Sequence, residues 1–190
     1  MSLFRRARSG PVDWLVVGLG NPGERYAGTR HNVGFDVVEL AARHWDLPKQ
    51  KKRYAGLYTE GRSGPGGPRV AVLLPQTYMN EAGDSVGPAR GALKLDLDQV
   101  VVVHDEIDLP FGRIETRVGG GLAGHNGLKS VKQGLGSAEF RRIRVGVGRP
   151  DSTDPEVVSS YVLSPFREGK EEVWELKERA TEELDRLVTS

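Results

Sequence analysis

The chain has 190 residues, 37% hydrophobic and 28% charged, which suits one globular α/β domain with a continuous core, and no apolar run approaches the ~20 residues needed to cross a bilayer. Cysteine is absent, which excludes disulfides, thiol nucleophiles and cysteine-ligated zinc, and fits a reducing compartment such as the cytoplasm. A net charge of +1 argues only weakly for a nucleic-acid partner, although residues 1–164 carry a net of +4 and residues 165–190 a net of −3.

Residues 1–12 (MSLFRRARSGPV) hold three arginines and no acid; they read as a disordered leader, with a transit peptide as the alternative. Residues 13–190 read as one domain. Its first strand is Trp14 to Leu19, a short apolar run closed by glycine. A turn-rich stretch leads to His31, and Val33, Val37, Val38, Leu40, Ala41 and Trp45 then recur at helical spacing. Tyr54–Glu60 and Arg69–Leu74 read as a hairpin around GRSGPGGP. A helix follows from about Asn80 to Leu93, weakened by Gly83, Gly87 and Pro88. The β-branched run Val100–Val103 predicts a central strand. Arg113–Val118 is another strand, running into the glycine tract Gly119–Gly121. His125–Leu135 predicts a helix, Arg142–Val147 alternates like a strand, and the segment from Phe166 to Val188 repeats apolar residues along one helical face. Strands alternating with helices predict a single-domain α/β fold: a mixed, mainly parallel twisted sheet with helices on both faces, three layers in all.

Three motifs suggest chemistry but lack their context. Gly18-Leu-Gly20-Asn-Pro-Gly23 fits a dinucleotide fingerprint, yet Pro22, Gly23 and Gly28 leave no helix to meet a pyrophosphate. Gly83-Asp84-Ser85-Val86-Gly87 fits a nucleophile elbow, with Asp105 and His125 in hydrolase order, but no strand runs into Ser85. Asp105, Glu106 and Asp108 could hold Mg²⁺, without a partner carboxylate cluster elsewhere.

Ligand sites in open α/β sheets form beyond the carboxyl ends of strands. The polar residues there are Asn21, His31, Asn80 and Asp105, with Asn126 beside the glycine tract. One histidine, one carboxylate and neutral amides are what water-mediated hydrolysis requires: a base, a group that orients it, and donors for an uncharged substrate. Each has a plainer reading, His31 as a helix-start residue, Asn21 as a turn, Asn80 as an N-cap, Asp105 as a local cap and Asn126 as a helix opener. Two basic clusters, Lys49–Arg53 and Arg141–Arg149, suit either phosphates or water.

The strings VVGLGNPGERYAGTRHNVGFDVV, LLPQTYMNEAG, VVVHDEIDLPFG and GGGLAGHNGLKS, with RRIRVGVGRP and YVLSPF, occur in order between Leu15 and Phe166. Together they closely resemble the signature blocks of bacterial-type peptidyl-tRNA hydrolases. The resemblance implies a monomeric cytoplasmic enzyme that hydrolyses the ester between peptide and tRNA, without metal or cofactor, and so recycles tRNA from prematurely released peptidyl-tRNA. It implies His31 as the general base activating water, Asp105 as the group holding it, and Asn21 as the residue distinguishing N-blocked from free aminoacyl groups. Tyr26, Tyr78, Asn80 and Asn126 would line the site for the peptide and the 3′ nucleotide, with His125 as a neighbour. Lys129, Lys132, Arg141, Arg142 and Arg144 would meet tRNA phosphates, and Gly119–Gly121 would form a lid. Glu115 stands where many relatives carry a basic residue, and Tyr78 where phenylalanine is also common. The competing readings are a non-catalytic RNA-binding or splicing relative of the same fold and a serine esterase built on Ser85.

Overall fold

The computed structural model describes residues 11–190, so of the expected leader only Pro11 and Val12 lie within the described residues; Val12 is buried in the core. Seven strands, β1 (Trp14–Gly18), β2 (Lys51–Arg53), β3 (Gly56–Arg62), β4 (Arg69–Pro75), β5 (Val100–Glu106), β6 (Ile114–Val118) and β7 (Arg141–Gly146), form one sheet in the order β2-β3-β4-β1-β5-β7-β6. The parallel character expected of it resides in the central four strands, β4-β1-β5-β7. Both edges are antiparallel: β2 and β3 on one side, β6 on the other.

The central strands are apolar throughout because both their faces are covered. Side chains alternate. Val16, Val72, Val101 and Val103 point to one core, which α1 (Val33–His44) and α5 (Lys170–Thr189) close with Val37, Val38, Leu176 and Leu184. Leu15, Val17, Leu73, Val100 and Val102 point to the other, closed by α2 (Gly83–Leu93) and α3 (Asn126–Leu135). The helix-weakening glycines of α2 earn their place in packing: a Cβ on Gly83 would lie 2.0 Å from the Ser130 carbonyl, and one on Gly134 would lie 2.5 Å from that of Gly83. Glycine at these points lets α2 and α3 touch backbone to backbone. No helix among the described residues is long and apolar enough to cross a membrane.

Three features depart from the sequence reading. β5 runs to Glu106, so Asp105 lies inside the strand and not beyond it. The exposed edge strand β2 is formed by cations, Lys51, Lys52 and Arg53, that carry no apolar pattern. Finally, α4 (Pro155–Val162) stands between β7 and α5, started by Asp154, whose side chain accepts the Glu156 N–H at 2.9 Å, and by proline in its first turn.

Candidate active site

The carboxyl ends of β1 and β5 open onto a cavity of about 710 Å³. The chain leaving β1 supplies Asn21; a one-turn 3₁₀ helix, Arg30–Asn32, supplies His31. A second such turn, Met79–Glu81, supplies Asn80, and the start of α3 supplies His125 and Asn126.

Asp105 is the centre of the arrangement. Its side chain is 1% exposed, with Oδ2 2.8 Å from His31 Nδ1 and Oδ1 2.8 Å from His125 Nε2. His125 is also the N-cap of α3, because its Nδ1 accepts the Gly127 and Leu128 backbone N–H groups at 3.1 and 3.2 Å. A nitrogen that accepts carries no proton, so His125 is the Nε2–H tautomer and donates to Asp105. Nδ1 of His31 likewise donates to Asp105, which leaves His31 Nε2 as a lone-pair nitrogen with no hydrogen bond to the described protein. The His31 and His125 rings lie 4.9 Å apart. Burial lowers the His31 pKa, but the charge and hydrogen bond of Asp105 together outweigh it, and the net shift is upward. Burial by itself would raise the Asp105 pKa, but the two facing imidazoles hold it well below the usual carboxylate range. Beneath them His104, fully buried, donates Nδ1–H to the Asp105 carbonyl at 2.9 Å; burial and the nearby His125 push its pKa down to about 3, so it stays neutral.

Asn21 is fixed by a reciprocal pair with Asn32: its N–H donates to Asn32 Oδ1 and its carbonyl accepts from Asn32 Nδ2, both at 2.9 Å. Asn21 Oδ1 accepts the Met79 N–H at 2.7 Å, which leaves its amide Nδ2 as a donor facing the cavity. Tyr78, Asn80 and Asn126 are exposed on the cavity rim. Tyr26 sits in the turn Glu24–Tyr26 and is not among the lining residues. The far wall escaped the sequence reading: Ile107 with Pro155, Val158, Ser159, Val162 and Leu163 of α4 and its end. PEVVSSYVL carries only a faint apolar spacing as a signal for it.

The cations expected on phosphates fall into two sets. Lys129 and Lys132 are exposed, and Lys129 lines the cavity. Arg142 is instead fully buried and donates to the carbonyls of Gly119 and Gly121 at 2.9 and 3.0 Å, which ties down the base of the glycine tract. Arg144 is spent on Glu106 at 2.5 Å and Glu115 at 2.8 Å, and Arg149 on Asp108 at 2.7 Å. Arg141 donates to the Asp98 carbonyl and lies over Trp14. Glu115, opposite Arg144 in register, is thus an internal partner in the edge of the sheet.

The same contacts give the residues of the three motifs other roles. A Cβ on Gly18 would meet the Gly34 carbonyl at 2.5 Å and one on Gly20 the Phe35 ring at 2.6 Å, so those glycines serve strand-to-helix packing. Glu106 and Asp108 are held by arginines, and Asp105, His31 and His125, the one group of described side chains clustered tightly enough for a metal, meet as N–H···O pairs. Ser85 is fully buried with an unpartnered Oγ, while both Asp105 oxygens are occupied by histidines. Ser85→Ala is therefore expected to leave kcat within about twofold of wild type in a steady-state assay, because no reacting group touches it; a loss of a hundredfold or more would restore the serine esterase.

Residues 15–190 match the family described as Peptidyl-tRNA hydrolase. A peptidyl-tRNA hydrolase of Anaeromyxobacter dehalogenans (strain 2CP-C) is 48% identical over 92% of this chain and 88% of its own. One from Geobacillus thermodenitrificans is 42% identical over 93% of each. The crystal structure of peptidyl-tRNA hydrolase from Acinetobacter baumannii superposes with a TM-score of 0.81 at 35% identity, covering 93% of this chain and 88% of that one.

Proposed function

Because the chain belongs to the peptidyl-tRNA hydrolase family and hydrolyses peptidyl-tRNA, we propose that His31, held by Asp105, is the general base of that reaction. The carrying observation is the open nitrogen of His31: Asp105 fixes Nδ1, and Nε2 is left to take a proton at the cavity wall. Water gives a proton to Nε2 as its oxygen attacks the ester carbonyl. The amide donors of Asn21, Asn80 or Asn126 meet the oxyanion, a contribution of roughly 10²–10³ in rate per well-placed donor. The intermediate collapses, the ribose oxygen leaves with the proton from His31, and the products are a peptide acid and tRNA with a free hydroxyl. Asp105 stays ionised and stabilises the transient imidazolium. Neither a metal nor a cofactor enters these steps, and the reading takes the enzyme to be a cytoplasmic monomer.

Discrimination against aminoacyl-tRNA follows from the charges around the cavity. A free α-ammonium would need a carboxylate, but Asp105 is committed to two imidazoles and Glu106 to Arg144, and Lys129 stands on the rim. A blocked amine is neutral and meets asparagine. With EDTA present, N-acetyl-aminoacyl-tRNA is expected to be cleaved at least about a hundredfold faster than the same tRNA bearing a free amine. Cleavage of neither, with tRNA still bound, would favour a non-catalytic RNA-binding protein.

A further inference from the structure

Arg30, the residue before His31, is 1% exposed and pairs with no carboxylate among the described residues. Burying an unpaired guanidinium is costly, and an apolar side chain would fill the same space more cheaply. What Arg30 gains is specific. Its guanidinium stacks 3.9 Å over the Tyr161 ring, and Nη1 donates to the carbonyls of Tyr161 at 2.9 Å and Ser164 at 3.4 Å. These carbonyls belong to the last turn of α4 and the segment after it, where a cation is favoured by the helix dipole. The Arg30 N–H bonds the Ser164 carbonyl at 3.1 Å, and Thr29 bridges Pro165. Tyr161 is fixed in turn, its hydroxyl donating to the Val147 carbonyl at 2.7 Å.

Apart from Tyr161, which packs against the core, α4 buries little. Of its eight residues only Val162 is buried, and Val157 is 41% exposed. The helix nevertheless lends apolar side chains, Val158 and Val162, to a cavity whose polar lining includes Asn80, Asn126 and Lys129. A polyanionic nucleotide matches the lining that carries lysine, whereas peptide side chains match the apolar part. We propose that Arg30 is a positioning residue that clamps α4 as the peptide-side wall of the cleft, so that the grip on residues beyond the ester-linked one is set by the residue next to the base. This inference rests on the proposed hydrolysis of peptidyl-tRNA.

The test compares two substrates on one tRNA, N-acetyl-aminoacyl-tRNA and a longer N-acetylated peptidyl-tRNA, for wild type, Arg30→Lys and Tyr161→Leu. Wild type is expected to favour the longer substrate in kcat/KM. Both variants are expected to lose that advantage by roughly tenfold, chiefly through KM, since a desolvated cation–π contact is the contact removed. A merely structural role lowers the folded fraction and depresses both substrates equally, so an unchanged ratio in both variants would overturn the proposal. Should Arg30→Lys fail to fold, Tyr161→Leu carries the same comparison alone. Failure of wild type on both substrates would overturn the functional reading itself, and this inference with it.

Discussion

Replacing His31 by alanine is expected to lower single-turnover hydrolysis of N-acetyl-aminoacyl-tRNA by roughly 10³–10⁴, while tRNA affinity, measured by filter binding, stays within about threefold. The rate falls because removal of the ring deletes the acceptor that Asp105 presents to the cavity and leaves a carboxylate whose Oδ2 has lost its donor. Affinity holds because His31 is recessed, with a side chain 12% exposed, whereas the rim residues Tyr78, Asn80, Asn126 and Lys129 are untouched. Loss of binding in step with rate would mean that His31 holds substrate and does no proton transfer. The His125 side chain cannot stand in as the base: its Nε2–H faces Asp105 and its Nδ1 is occupied by two backbone N–H groups of α3.

How much of this was legible in the sequence depended on whether the signal was local. The strands β1, β4 and β5 and the helices α1 and α5 announced themselves because burial on two faces, or on one helical stripe, writes apolar residues at fixed periods. The nominees Asn21, His31, Asn80, Asp105 and Asn126 do line one cavity: the first four follow or end the parallel strands β1, β4 and β5, whereas Asn126 arrives from the antiparallel edge strand β6 at the start of α3. His125 was expected only as a neighbour; its grip on Asp105 was out of reach, because its dual use as helix cap and hydrogen-bond donor is set by tertiary packing. Arg142 and Arg144 misled for a related reason. Alternation in β7 places them together on one face, and that face reads as solvent until β6 and the glycine tract cover it. The wall formed by α4 was missed because an eight-residue helix with one buried side chain leaves almost no periodic trace.

Asp105→Asn provides the sharpest test of how the base is tuned. In wild type the acid limb of kcat/KM is expected to have its midpoint above the ordinary histidine value of about 6.5, since His31 must be neutral to accept a proton and its pKa is raised in the folded protein. Burial opposes that rise and Asp105 supplies it, by charge and by hydrogen bond. Asparagine removes the charge and leaves burial, so the limb is expected to move to lower pH, below 6.5. The rate is expected to fall at the same time by roughly 10²–10⁴, because an asparagine amide can donate to His31 Nδ1, which puts the ring proton on Nε2 and abolishes the base. The stability consequence has the opposite sense. A His31 pKa raised on folding makes its pairing with Asp105 stabilising below about pH 6.5, a contribution lost as pH climbs through the folded value. Thermal melts of wild type and Asp105→Asn should therefore draw closer together as pH rises from about 5.5 to about 8.5. An acid limb that stays in place in Asp105→Asn would show that the base is tuned by something other than this carboxylate, and the assignment of Asp105 would fail with it.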